Sequence, residues 1–478
     1  MRNLLISLLL FSAVSYAAKQ AKLLTPAKSY ELKEPIITTS FFHWLSADGG
    51  QMLGPWLPLE GRENWTGETK WWKSQIKQTM RAGIDVLYVH LIPYMERQRV
   101  NFFRALSELR HEGYDVPKIA PFLDPIVTWG KSNKYSLAVA SNKVMFVEQY
   151  IRFFNQYFSV NTDEYAEDYI ARIDNKILLD VWHMHINFTD MSNFHKSFIS
   201  KMMAKKFSKK YPAFTNGVYV VTTDTKTAYP YADEKTVQFH SQEYFHNTDY
   251  NNIKSVQLKP GYWDQNHRTP GFFLKRDGGI CYSNAWARVL TSSVDHVYIE
   301  SWNEYTEGTG IYAADPTNIF KINSNTNNDF WSVSNDPFEY IKTTYSGARK
   351  FKNIKNKNTK ILWHNLPKKM FVGETNHCTV CVRNTGFDLW KSSGKYKFGQ
   401  RLSKIKQISF CPGKYNLEDK ENEVDLYSGV FKGRPVQFDL IITEPKTPGG
   451  YKTYWRMIQG KTQWFGEEIT NTINVISR

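Results

Sequence analysis

Cysteine is scarce in this chain, with four among 478 residues: Cys281, Cys378, Cys381 and Cys411. That number excludes a disulfide-stapled scaffold. Cys378 and Cys381 stand three apart in a strand-like run, so their side chains face opposite ways, which speaks against a zinc or redox pair. Export would permit a disulfide from Cys411 to either of them. Long apolar runs are lacking as well. The run at 4–14 is too short to be a permanent membrane anchor, and no transmembrane segment follows it. Acidic residues are in deficit, and the net charge is +15. Yet there is no Arg-rich helix and no RNP-like aromatic motif, and the lysines are scattered, so no nucleic-acid partner is expected. His183-x-His185 has no obvious third protein ligand, and neither a metal nor a cofactor is expected.

The apolar run at the N-terminus reads instead as a secretory signal. Arg2 supplies the positive start, and Ser15-Tyr16-Ala17 is a small-x-small cleavage site, with cleavage expected after Ala17. No Cys follows that would carry a lipid. A secreted or periplasmic protein is the expectation. Aromatic residues are abundant, at 15% of the chain, with 15 Trp, 28 Tyr and 30 Phe. Their ring faces suit the apolar C–H faces of sugars.

Strand and helix signals alternate from residue 36 onward. Apolar runs at 36–44, 84–92, 117–123, 177–182, 217–222, 237–240, 255–258 and 297–301 read as strands. Helical spacing fills 72–82, 97–112, 143–158, 191–211 and 283–292 between them. This pattern predicts a (β/α)8 TIM-type barrel over residues 18–348, with polar side chains gathered at the C-terminal ends of successive strands. Residues 349–361 are rich in Lys and Asn and read as a basic linker. From 362 to 478, short alternating segments with Gly and Pro turns predict an Ig-like β-sandwich.

The chemistry concentrates in YIESWNEYTEG, residues 298–308, a strand that runs into a loop carrying Glu304 and Glu307. Two acids three residues apart can face one small site, and glycoside hydrolysis requires two carboxyl groups. Trp302, Asn303 and Tyr305 lie among them. The other strand ends carry His43, Trp44, His90, Asp124, Asp180, Trp182, His183 and, in the PGYWD run, Trp263. These are candidates for hydrogen bonding to a glycan and stacking on it.

SWNEYTEGTGIYAADP, residues 301–316, resembles the W-N-E-W-x-E-G-T motif of the endo-α-mannosidase-type glycoside hydrolases. The PFLD run ending at Asp124 and the PGYWD run ending at Asp264 are similar to other signatures of that family, and Tyr305 stands where its second Trp is usual. The resemblance implies a barrel over about 36–345 and cleavage of an α-linked polysaccharide with retention. Glu307 would be the general acid. Glu304 would be the base that frees the sugar 2-hydroxyl to attack its own anomeric carbon. Direct attack by a carboxylate, with Asp124, Asp180 or Asp224 as partner, is the ordinary alternative. A glycan-binding or surface protein that keeps the barrel without the chemistry is the other reading. The RNTG run with Trp390, the PGGY run and WRM…WFG resemble the Trp-rich Ig-like domain of autophagy cargo receptors, also appended to many bacterial enzymes. Those motifs say little about function, and a cell-surface glycan is one candidate partner of the second domain.

Overall fold

The computed structural model describes residues 29–47, 52–93, 95–223, 231–236, 243–322, 327–401, 415–416, 429–443 and 446–478. The expected signal peptide, Asp224, the strand at 237–240 and Cys411 lie outside them. The chain forms two compact units, one made of Pro26–Ser107 and Val116–Asn353, the other built chiefly from Ile354–Arg478.

The larger unit is organised by one sheet. Its strands are β1 (Ile36–Phe41), β2 (Val86–Leu91), β3 (Lys118–Leu123), β4 (Lys176–Trp182), β5 (Val218–Thr223), β6 (Glu234–Thr236), β7 (Phe245–Tyr250), β8 (Ile253–Leu258) and β9 (His296–Ile299). The spatial order is β7-β8-β9-β1-β2-β3-β4-β5-β6. From β8 round to β6 every ladder is parallel, while β7 pairs antiparallel with β8. The strands of β1, β2 and β3 are buried at every position, as expected where helices cover one face and the barrel interior the other.

The sheet curls into a nearly closed barrel. No ladder joins β6 to β8 among the described residues, and side chains bridge that seam instead. Ser255 Oγ of β8 donates to Glu234 Oε1 of β6 at 2.5 Å, and His296 Nδ1 of β9 meets Glu234 Oε2 at 2.8 Å.

The helices packed outside are α1 (Thr69–Ala82), α2 (Glu96–His111), the short α3 (Pro125–Trp129), α4 (Ala140–Val160), α5 (Lys196–Phe207), α6 (Ile280–Thr291) and α7 (Glu339–Lys352). α1 shows why the sequence stops where it does. Trp72, Ile76 and Met80 bury one stripe, and Gly83 then takes the left-handed conformation and donates back to Met80 and Thr79 carbonyls. The alternation departs from eight regular units. β7 and β8 form a hairpin around Asn251-Asn252, both at positive φ, with no helix between them. The expected basic linker also differs: residues 349–352 are the last turn of α7, and Thr359 opens the next strand. The Lys352 side chain is almost fully covered, and its ammonium donates to the Gly83 carbonyl at 2.6 Å and meets Asp85 at 2.5 Å.

The smaller unit is a two-sheet β-structure. Its strands are β10 (Thr359–His364), β11 (Lys369–Phe371), β12 (Asn376–Asn384), β13 (Tyr396–Gln400), β14 (Pro435–Ile442), β15 (Gly449–Gln459) and β16 (Gln463–Ile476). One sheet is β10-β12-β14, and the other contains β11-β16-β15-β13. Trp390, Phe398, Trp455 and Ile473 fill the core together with Cys378, while Cys381 packs with Leu362 and Trp363 on the other face.

Candidate active site

Ladder register sets the level of the site. Phe122 of β3 pairs with Asp180 of β4, and His90 of β2 pairs with Phe122, so the ends of β2, β3 and β4 reach one height. Thr39 of β1 and Leu258 of β8 flank Ile299 of β9 in the same way. Just beyond those ends a cleft of about 600 Å³ opens.

Of the residues singled out from sequence, Trp44, His90, Asp124, Trp182, His183, Glu304 and Glu307 line this cleft. The 298–308 stretch enters it by a tight loop. Glu304 N–H donates to Ser301 Oγ at 2.7 Å, Thr309 N–H to the Glu304 carbonyl at 3.2 Å, and Ser301 Oγ meets Thr309 Oγ1 at 2.9 Å. Gly308 closes the turn at φ 60°, where an added Cβ would lie 3.0 Å from the Trp263 carbonyl.

The two acids stand in unlike surroundings. Glu304 is buried, and that burial, reinforced by the Glu307 charge and by Glu300, pushes its carboxyl well above the ordinary 4.5. Backbone N–H groups of Thr306 and Glu307 pull the other way. Glu307 is partly exposed, and its Oε1 accepts from Arg268 Nη2 at 3.0 Å. Arg268 also pairs with Asp264 and donates to Tyr262 OH at 2.9 Å. Across the cleft, Asp124 Oδ1 caps α3 by accepting from Ile126 and Val127 N–H at 2.8 and 3.2 Å, and its Oδ2 lies 3.7 Å from His90 Nε2. Burial lowers the His90 imidazole despite that carboxylate, so a neutral ring faces the cleft. His183 takes a left-handed φ of 41°, and its N–H donates to the Thr223 carbonyl at 2.9 Å.

The remaining candidates do not line the cleft. Trp302 is fully buried, and its indole donates to Gln75 Oε1 at 3.1 Å. Asn303 binds both backbone groups of Phe42 at 2.8 Å, which joins the loop after β9 to the loop after β1. Tyr305 is buried against Tyr312, with ring centroids 4.7 Å apart. Trp263 packs edge-on to Trp56, and His43 is buried behind the wall, its imidazole kept neutral by burial. Asp180 lies below the cleft in the barrel interior, where burial raises its carboxyl well above the ordinary range and Thr223 supplies a 3.4 Å hydrogen bond. Each was expected at the wall. The tight 301–308 loop turns Trp302, Asn303 and Tyr305 into packed surroundings, and Asp180 faces the barrel interior at a lower level.

Several cleft residues were not singled out from sequence: Phe122, Lys259, Tyr262, Arg268, Tyr298 and Glu300. Lys259 directly follows β8 and Glu300 directly follows β9. Position at a strand end was the available signal for both.

Residues 368–475 match the family model of the Ig-like domain from next to BRCA1 gene. No curated protein matches the chain. Among solved structures, it is similar to the GH99 endo-alpha-mannosidase from Bacteroides thetaiotaomicron in complex with bis-tris-propane, at 15% identity and a TM-score of 0.47, covering 66% of this chain and 97% of that one. It is also similar to a putative beta-galactosidase from Bacteroides fragilis, at 8% identity and a TM-score of 0.33, over 95% of this chain and 57% of the other. A beta-glucuronidase from Bacteroides uniformis follows at 9% identity and a TM-score of 0.24, over 94% and 46%.

Proposed function

We propose that this chain is a glycoside hydrolase that cleaves an α-linked polysaccharide, mannan-like or other, with retention, using Glu304 and Glu307. One observation carries the reading: both side chains open into a single cleft whose walls include Trp44, Phe122 and Trp182. Two carboxyls in unlike surroundings, facing aromatic walls, are what glycosidic cleavage requires. The high proton affinity of Glu304 suits the base that takes the sugar 2-hydroxyl proton. Glu307 then protonates the departing oxygen and later activates water. In the free site burial favours a proton on Glu304, while Glu307 accepts a hydrogen bond from Arg268. The chemistry therefore requires Glu304 to be ionised and Glu307 to carry a proton once substrate is bound.

The test is turnover of α-mannan and a panel of other α-linked polysaccharides by purified protein beside Glu304→Gln and Glu307→Gln. Both variants should lose at least about 100-fold in kcat, the scale of a lost acid or base. On an aryl α-glycoside with a good leaving group, which needs no proton donor, Glu307→Gln should recover the first step, read as a burst of aryl alcohol, and Glu304→Gln should not. Unchanged turnover in both variants rejects the assignment. Binding without turnover in the wild type would favour a glycan-binding protein.

The larger unit is read as a (β/α)8-type barrel, on the support of its parallel strands in chain order. The Trp-rich sandwich is read as an accessory module of the kind found in autophagy receptors and bacterial enzymes, with surface glycan as its ligand. Export is read from residues 2–17. Mass spectrometry of the protein recovered outside the cytoplasm should place its first residue at Ala18.

A further inference from the structure

A second pair of charges lines the cleft and takes no part in the chemistry above. Lys259, at the end of β8, and Glu300, at the end of β9, are adjacent because those strands are neighbours in the barrel. Both are almost fully buried, at 2% and 4% exposure. Lys259 Nζ lies 3.5 Å from Glu300 Oε2, longer than a direct charged hydrogen bond, and Gln257 Nε2 donates to that same oxygen. Gln257 Oε1 is buried with no hydrogen-bond partner. Burying two charges is costly, and an apolar pair would fill the space at least as favourably. What the charged pair adds is a donor and an acceptor fixed side by side.

That arrangement matches a sugar bearing two adjacent free hydroxyls: one hydroxyl donates to the carboxylate and its neighbour accepts from the ammonium. We propose that Lys259 and Glu300 form a clamp for a vicinal diol on the sugar seated beside Glu304, and that they set specificity for that sugar. The proposal rests on the glycosidase reading of the same cleft. A substrate lacking either hydroxyl would forfeit a charge-assisted hydrogen bond in a buried site, where a polar pocket discriminates most strongly.

The experiment measures binding by calorimetry of α-linked mannose and glucose disaccharides and their monodeoxy analogues. The proteins are the wild type, Lys259→Met, Glu300→Gln and the double variant Lys259→Gln/Glu300→Gln, which leaves no lone buried charge and guards against a single variant that fails to fold. The wild type should reject analogues lacking one of two neighbouring hydroxyls by at least about 100-fold. That rejection should shrink below about tenfold in each folded variant, while analogues altered elsewhere change little. Rejection that persists in the variants overturns the clamp and leaves the glycosidase reading standing. Failure of every probe to bind the wild type overturns both.

Discussion

Glu304 illustrates how a single buried carboxyl couples function to stability. Its folded-state proton affinity is raised, chiefly by burial and then by Glu307. The stability tied to its neutral form is fully present below the ordinary 4.5 and is lost as pH rises through the higher folded value. Glu304→Gln removes that titration. The variant should therefore lose less melting temperature than the wild type between pH 4.5 and 8, and should be the more stable protein at pH 8, a common pattern for active-site groups. A thermal melt series across pH checks this, and parallel curves would mean that Glu304 is ionised at no cost. The aromatic residues around it teach a second lesson. Trp302 and Tyr305 look like cleft walls in the sequence, yet they are core residues that hold the loop while Glu304 and Glu307 face out.

At the scale of elements, Asp124 does two things. It caps α3 through Oδ1 and presents Oδ2 to the cleft near His90. Asp124→Ala should cost about 1 kcal/mol in chemical denaturation through the lost cap, whereas Asp124→Asn, which still caps, should cost little. Equal losses would place its role in charge rather than in capping. The strands that sequence identified most readily, β1 to β5, are buried on both faces over most of their length, and that leaves largely apolar runs that are easy to read. The short β6 and the β7–β8 hairpin were harder. Two adjacent asparagines, Asn251 and Asn252, were a legible turn signal, since asparagine tolerates the positive φ of a tight hairpin. Helix α7 was obscured because its buried stripe of Tyr340, Ile341, Thr344 and Ala348 runs into a lysine-rich end.

For the barrel as a whole, the seam between β6 and β8 depends on Glu234. Burial raises Glu234, but His296, Ser255 and Tyr219 outweigh it and leave the carboxyl below the ordinary 4.5. Burial lowers His296, yet Glu234 leaves it above 6.5. The Glu234 contribution is present above 4.5 and lost as pH falls through its folded value. The His296 contribution is present below 6.5 and lost as pH rises through its higher folded value. The pair should therefore support the barrel most fully between about pH 4.5 and 6.5. Glu234→Gln should cost about 3–5 kcal/mol there, as breaking a buried pair does. Urea titration at pH 6 reads the effect, and a loss below about 1 kcal/mol would show that the barrel's stability does not depend on this pair.

The sequence by itself determined the alternation of strands and helices, the change to short strands beyond residue 362, and the acid-bearing stretch 298–308, whose two carboxyls line the cleft. Those features are local: hydrophobic period, turn residues and the spacing of two carboxyls are written within a few residues of each other. Tertiary structure alone decided which side chains share the cleft. Lys259 and Glu300 become neighbours only when β8 is placed beside β9, and Arg268 reaches Glu307 only through the turn after Trp263. The reason is directional. A side chain's reach is set by its face on a strand and by the register of the next strand, and neither can be read from spacing along the chain.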